Sequence, residues 1–284
     1  MSLSQLSTQN NDARRHGRDA SEPSVDHSVS IAGLTMTVRD GFAVVSLDKP
    51  RGNSLDEPLI ESLLRICMTV EMRPDVRGVL LTARNGGVFC PGFDLVALSS
   101  YDRESMRRFV RLFGRALIAL YGLRLPVVAA IGGHAVAGGF LLTLTADLRI
   151  LRKGAVMGLN DFRAGVPMPW PGAVLLAHQL APQVRTRIAL VGENCRDEEA
   201  LKAGLCDEVC DAASLEERGL GRLSELASRE PGAFALTKRF VRASALEAME
   251  SGLETSLDPF LDVWFSKGTQ TRIRAVVEAL RQRV

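Results

Sequence analysis

Residues 125–150 read LPVVAAIGGHAVAGGFLLTLTADLRI. The apolar run Val127 to Ile131 has the length and composition of a buried strand. A glycine-rich turn follows, ending in Ala137-Gly138-Gly139-Phe140, and the apolar run Phe140 to Ala146 leaves it as a helix. Glycine lets a backbone bend tightly and approach a neighbour or a ligand closely. The first N–H groups of a helix have no partner in their own ladder and favour negative charge. Two readings stay open on these residues alone: a packing turn between strand and helix, or an oxyanion-binding turn.

Outward from this stretch the same alternation repeats. Leu34–Gly41 and Phe42–Pro50 read as strands joined at Asp40-Gly41, a favoured hairpin turn. Asp56 is placed to cap a helix with Pro58 in its first turn and Leu59, Leu63, Ile66 and Cys67 on one face. VRGVLLTA (76–83) is the next strand, and RNGGVFCPGFDL (84–95) a second glycine-bearing loop. Ser100 to Leu120 is helical, with Met106, Phe109, Val110, Phe113 and Leu117 as its stripe. ADLRIL (146–151) and AVMGLN (155–160) add short strands, and Gly165 to Pro171 is irregular. Helices resume near Ala173 and Gln183, and a last strand lies around Asp207. The pattern is α/β: a parallel or mixed sheet covered by helices.

From Ala213 onward helical patterns dominate. Ser214 and Glu217 fit a capping box, Pro231 starts a helix, and Ala245 to Asp262 reads as one long helix that Pro259 kinks or breaks. Thr271 to Arg283 is the last amphipathic helix. The expected organisation is a disordered tail over 1–29, a core domain over 30–212 and a C-terminal helical region over 213–284, either a separate lobe or an oligomer surface.

Composition narrows the function. The formal net charge of +2 on 284 residues, with arginines scattered along the chain, gives no footprint for nucleic acid. The spacing of Cys67, Cys90, Cys195, Cys206 and Cys210 fits neither a disulfide framework nor a paired metal site. With only four histidines, no metal centre is expected. No signal peptide or long apolar span is visible, so a cytoplasmic protein is expected, off the membrane.

The motifs LDKPRGNSLD (47–56), VRGVLLTARNGGVFCPGFDL (76–95) and residues 125–150, in this order and separation, resemble the crotonase superfamily, the enoyl-CoA hydratase/isomerase family. The resemblance runs from about Leu34 to the C-terminus. It implies a crotonase-like (ClpP/crotonase) spiral of strand-strand-helix units, a trimerisation role for region 213–284, and a homotrimer or dimer of trimers.

It also implies a site. Backbone N–H groups of Phe93 and Gly138 would hold the thioester oxygen of an acyl-CoA substrate, stabilising the enolate formed when a neighbouring proton leaves. The family's two-glutamate hydratases carry one acid at the position of Leu141 and the other at the position of Asp161. Leucine at the first position and a shorter acid at the second weaken hydration, since water addition divides its tasks between two carboxylates. GGFLL (138–142), GLND (158–161) and WFSKG (264–268) are more similar to mitochondrial-type delta3,delta2-enoyl-CoA isomerases. That resemblance implies isomerisation with Asp161 as proton shuttle; hydration and a catalytically weak CoA-binding protein are the alternatives. The resemblance implies CoA along backbone groups near Gly52, Asn53, Ser54 and Leu55, with Pro91 and Gly92 shaping the passage to Phe93; Lys267, Arg272 and Arg274 are candidate phosphate neighbours, a basic solvent-facing surface being the simpler role of each. CoA would be part of the substrate, with no metal or other cofactor. Met168, Trp170, Trp264 and Phe265 are expected at the acyl end or in packing. His134 and Cys90 are expected to support loops and core rather than react, and Asp147 to fix a turn.

Overall fold

The computed structural model describes residues 28–50, 52–84, 87–160 and 165–282. Asp161 and nearly all of the expected tail lie outside the described residues. Eleven strands are found among those described: β1 (Val29–Ile31), β2 (Leu34–Arg39), β3 (Phe42–Leu47), β4 (Gly78–Ala83), β5 (Val88–Cys90), β6 (Val127–Ile131), β7 (His134–Val136), β8 (Leu148–Arg152), β9 (Val156–Gly158), β10 (Asn194–Arg196) and β11 (Glu208–Cys210). The large sheet has the order β1-β2-β3-β4-β6-β8-β11, and the small sheet β10-β9-β7-β5. β1, β2 and β3 pair antiparallel; from β3 to β11 every pairing in the large sheet is parallel.

This topology is a spiral. β4, β6 and β8 each enter the large sheet, and the strand after each, β5, β7 or β9, enters the small one before a helix returns the chain. The expected crotonase-like α/β fold is therefore present.

Strand periodicity explains the layers. On β6, Val127, Ala129 and Ile131 face the main core, while Val128 and Ala130 join a second cluster with Phe42, Val44, Leu80, Ile150, Leu215 and Leu223. Helix Leu215–Ala227 covers that second face, so this part of the C-terminal region packs on the sheet. The hairpin forms at Asp40-Gly41 as expected, both residues having positive φ.

Helix Glu57–Met72 begins where Asp56 and Pro58 require it: Asp56 Oδ1 accepts from Leu59 N at 3.1 Å. Asp56→Ala is expected to lower stability by about 1 kcal/mol for the lost cap, read as a shift in the urea midpoint. The loss will be larger if the bond from Lys49 Nζ to Asp56 Oδ2, at 2.6 Å, contributes as well.

Several expectations need correction. β5, β7 and β10 were not foreseen; each has three residues, too few for a period to show. The loop over 84–95 contains β5 and opens into helix Leu95–Leu98. The following helix is Arg103–Gly122, beginning at Asp102, whose side chain accepts from Ser105 N at 2.7 Å. The capping box at Ser214 does not form, because a 3-10 turn over Ala212–Ser214 keeps Ser214 in helical backbone and its hydroxyl donates to Asp211 O at 3.1 Å. Pro231 opens a helix that runs unbroken to Leu253. The long helix expected over 245–262 is broken between Leu253 and Leu257 rather than at Pro259. Restarting at Leu257 puts Pro259 in a first turn, where its missing N–H has no partner to lose.

Candidate active site

Two backbone segments meet beside the glycine turn. The first is held by Leu55, whose N–H donates to Gly92 O at 2.8 Å and whose carbonyl accepts from Asp94 N at 2.9 Å. That pair of bonds is a parallel bridge between Leu55 and Phe93. In such a bridge the residue between the two bonded groups turns its own N–H to the opposite side. Phe93 N–H thus points away from Leu55.

A polar network fixes this loop from behind. Asp94 caps helix Leu95–Leu98 by accepting from Ala97 N at 3.1 Å, and also accepts from Ser54 Oγ at 3.0 Å. Lys49 Nζ reaches Asp94 Oδ2 at 3.3 Å and Ser54 O at 2.9 Å. Burial alone would raise the Asp94 pKa, but Ala97 N–H, the Ser54 hydroxyl and the Lys49 ammonium hold it below the ordinary value. Asp94 is therefore an ionised strut. The Phe93 ring packs edge-on against Phe109 and Phe113, with centroids 4.9 and 5.0 Å away.

The second segment is the turn into helix Gly138–Thr143. Ala137 has φ 56° and ψ −131°, a conformation that costs a non-glycine residue energy and is kept only where the surroundings enforce it. Its N–H donates to Gly158 O at 2.9 Å, and its carbonyl takes the first helical bond, from Leu141 N at 3.2 Å. The N–H groups of Gly138, Gly139 and Phe140 precede that bond and form the helix's donor end.

The two segments touch. A Cβ on Gly92 would lie 2.6 Å from Ala137 Cβ and 3.0 Å from Gly138 N, and one on Gly139 would lie 2.1 Å from Cys90 O. Both approaches exist because these positions lack side chains. Phe93 and Gly138 are thereby neighbours across a backbone contact.

The other expected residues divide. Asn53 is fully buried; its side chain accepts from Lys49 N at 2.8 Å and donates to Phe89 O at 3.0 Å. Ser54 is taken up by Asp94, and Leu55 is fully buried. From Asn53 to Leu55 the side chains thus build the loop, leaving backbone as the surface a ligand can use. Gly52 adopts φ 106° at the loop's rim, and Pro91 is exposed beside buried Gly92. Lys267 is exposed in the first turn of helix Lys267–Arg281, as are Arg272 and Arg274 further along. That helix packs on Leu95–Leu98 and ties Gly165 by a bond from Thr269 Oγ1 to Gly165 O at 3.2 Å.

Leu141 is 1% exposed and packs on helix Trp170–Gln179, where a Cβ on Gly172 would meet Leu141 Cδ1 at 2.6 Å. Trp170 and Trp264 serve packing: Trp170 Nε1 donates to Ala248 O at 2.7 Å, and buried Trp264 stacks on Phe260. Met168 and Phe265 are partly buried against the main core. Burial pushes the Cys90 thiol up to about 12, so it is no nucleophile. His134 Nδ1 accepts from Val156 N at 3.1 Å, a support for β9. No cluster of metal-ligating side chains is found among the described residues, and none of their helices is long and apolar enough to cross a membrane.

Sequence reading missed the left-handed Ala137 and its contact with Gly92. Its one available signal was the glycine just before Phe93.

A family model described as enoyl-CoA hydratase/isomerase matches residues 37–281. The chain belongs to that family. It is 28% identical over 219 residues to a carnitinyl-CoA dehydratase of Proteus mirabilis, covering 77% of this chain and 84% of that one. It is 30% identical over 207 residues to an (E)-benzylidenesuccinyl-CoA hydratase of Thauera aromatica, covering 72% and 80%. In fold it matches the human mitochondrial delta3-delta2-enoyl-CoA isomerase with a TM-score of 0.85 at 24% identity, over 88% of this chain and 99% of that one. As a member of that family, the chain is an enzyme of acyl-CoA chemistry.

Proposed function

We propose that the chain moves a double bond of an enoyl-CoA from delta3 to delta2. The thioester oxygen sits between Phe93 N–H and Gly138 N–H, and Asp161 takes a proton from C2. Charge that develops on the oxygen is met by two donors fixed before the reaction, with the field of helix Gly138–Thr143 behind one of them. Asp161 returns the proton at C4, leaving the conjugated thioester. CoA is bound along the backbone of Gly52, Asn53, Ser54 and Leu55 and past Pro91 and Gly92, with Lys267 near its phosphates.

The observation that carries this reading is Leu141. Its side chain is packed on Gly172 where water addition needs a second acid. A single carboxylate suffices to shuttle one proton between nearby carbons. The second reading is addition or elimination of water. The names of the dehydratase and hydratase relatives favour it over isomerisation.

The test uses a 3-enoyl-CoA and the matching 2-enoyl-CoA, with products resolved by mass spectrometry. Conversion of the first into the second without hydroxyacyl-CoA is the expected result. Hydroxyacyl-CoA as the main product would move the assignment to hydration. Asp161→Asn is expected to lower isomerase kcat by about 100-fold, and near-normal turnover in it would remove Asp161 from the mechanism.

A further inference from the structure

A second polar site lies on the outer face of the large sheet, away from the Phe93–Gly138 turn. A cavity of about 490 Å³ is lined by Thr35, Thr37, Ser46, Thr82, Arg39, Arg84 and Glu216, with Val44 and Ala83 completing its walls. Three of the hydroxyls form a row. Thr35 of β2 is directly opposite Ser46 of β3, and Ser46 is directly opposite Thr82 of β4. Side chains so placed stand about 5 Å apart on one face.

Thr35 and Ser46 are each only 6% exposed, and buried hydroxyls are ordinarily bonded. Ser46 Oγ and Arg39 Nε are both buried without any hydrogen-bond partner among the described residues. Arg39 uses one terminal nitrogen on Glu216, and Arg84 one on Asp48 at 3.3 Å. A guanidinium has five N–H donors and no acceptor, and a hydroxyl turns to donate. Within the lining two guanidiniums stand against one carboxylate, Glu216. A group rich in acceptor oxygens matches these guanidiniums and hydroxyls.

We infer that this cavity binds a small oxyanion, a phosphate group of a free ion or a small metabolite, held by Arg39, Arg84 and the hydroxyl row Thr35–Ser46–Thr82. An anion there supplies the acceptor missing for Arg39 Nε–H and draws Arg39 from Glu216. This inference is independent of the reaction assigned to the Phe93–Gly138 site.

The test is calorimetric titration of the full chain with inorganic phosphate at fixed ionic strength, with chloride as reference salt. Saturable binding of one phosphate per chain is expected. Arg39→Gln and, separately, Thr82→Val should each weaken it by about tenfold, the effect of losing a hydrogen bond to a charged group. Thr82→Val keeps shape and charge, so weakening by Arg39→Gln alone would report diffuse electrostatics and overturn the site. Absence of saturable heat, or unchanged affinity in both variants, would overturn it too. A phosphomonoester titrated in parallel distinguishes a metabolite from the free ion by which binds more tightly.

Discussion

Gly139→Ala is expected to cut turnover on the order of a thousandfold and to destabilise the chain by several kcal/mol, because its new methyl group meets backbone that cannot move alone. The Cβ would lie 2.1 Å from Cys90 O and 2.7 Å from Cys90 C. Cys90 ends β5, which pairs with β7 through Ala135, and leads through Pro91 and Gly92 into Phe93. Relief must therefore move the Gly138 turn away from the Phe93 loop, separating the two proposed donors. Loss of one oxyanion donor costs about 100- to 1000-fold, and displacement of both exceeds that. Gly221→Ala is the matched control: it lies in helix Leu215–Ala227 with open space around its Cβ. It should leave turnover unchanged and slightly raise stability, since alanine is the better helix former. Steady-state kinetics and urea midpoints on both variants decide the matter. Turnover of Gly139→Ala within tenfold of the parent would mean that the turn does not carry the reaction.

Legibility of this chain followed the length of each signal. β6, the glycine turn and the helix after it could be read from residues 125–150 because the apolar runs are long and the glycines punctuate them. Asp56 and its proline announced a helix start that formed as expected. Of the small sheet only β9 was legible, because β5, β7 and β10 are strands of three residues that owe their existence to neighbours rather than to a period of their own. Leu141 could be read as a missing acid, but not as a side chain seated on Gly172, which lies 31 positions further on. Asn53 and Ser54 were expected to offer backbone to a ligand; what their side chains do, bracing β5 and Asp94, was not legible. Polar residues in a loop look alike in sequence whether they face a substrate or the loop itself. Ala137 gave no signal at all, since alanine does not advertise a left-handed conformation.

Asp147→Ala is expected to cost about 3–5 kcal/mol, the loss that follows when one partner of a buried ion cluster is removed. Asp147 lies just past the helix that begins at Gly138, and its Oδ2 accepts from Val127 N at 2.7 Å at the start of β6. Two cations one helical turn apart on helix Pro231–Leu253 converge on it. Lys238 Nζ reaches Oδ2 and Arg242 Nη2 reaches Oδ1, both at 2.8 Å. Both side chains are buried, at 6% and 8% exposure. Carbonyls take some of their remaining donors, Leu125 O from Lys238 and Tyr121 O from Arg242, and Arg242 lies over the Tyr121 ring at 4.0 Å. Without Asp147, the carboxylate bonded to both desolvated charges is gone, and Lys238 keeps only the weaker pull of Glu71. Burial already lowers the Lys238 pKa from 10.5 to about 8, against the pull of Asp147. Between these two values the unfolded chain holds a proton that the folded chain has released. The unfolded state therefore binds more protons there, and the contribution of Lys238 to stability rises with pH across that window and is lowest below it. Lys238→Met should abolish this rise. Asp147→Ala should extend it to lower pH, since the main charge that supports the ammonium is gone while Arg242 still opposes it. Urea midpoints from pH 6 to 10 on the three proteins read both effects. A loss under about 1 kcal/mol in Asp147→Ala, the size of an exposed pair, would show that the cluster does not hold the C-terminal helix to the sheet.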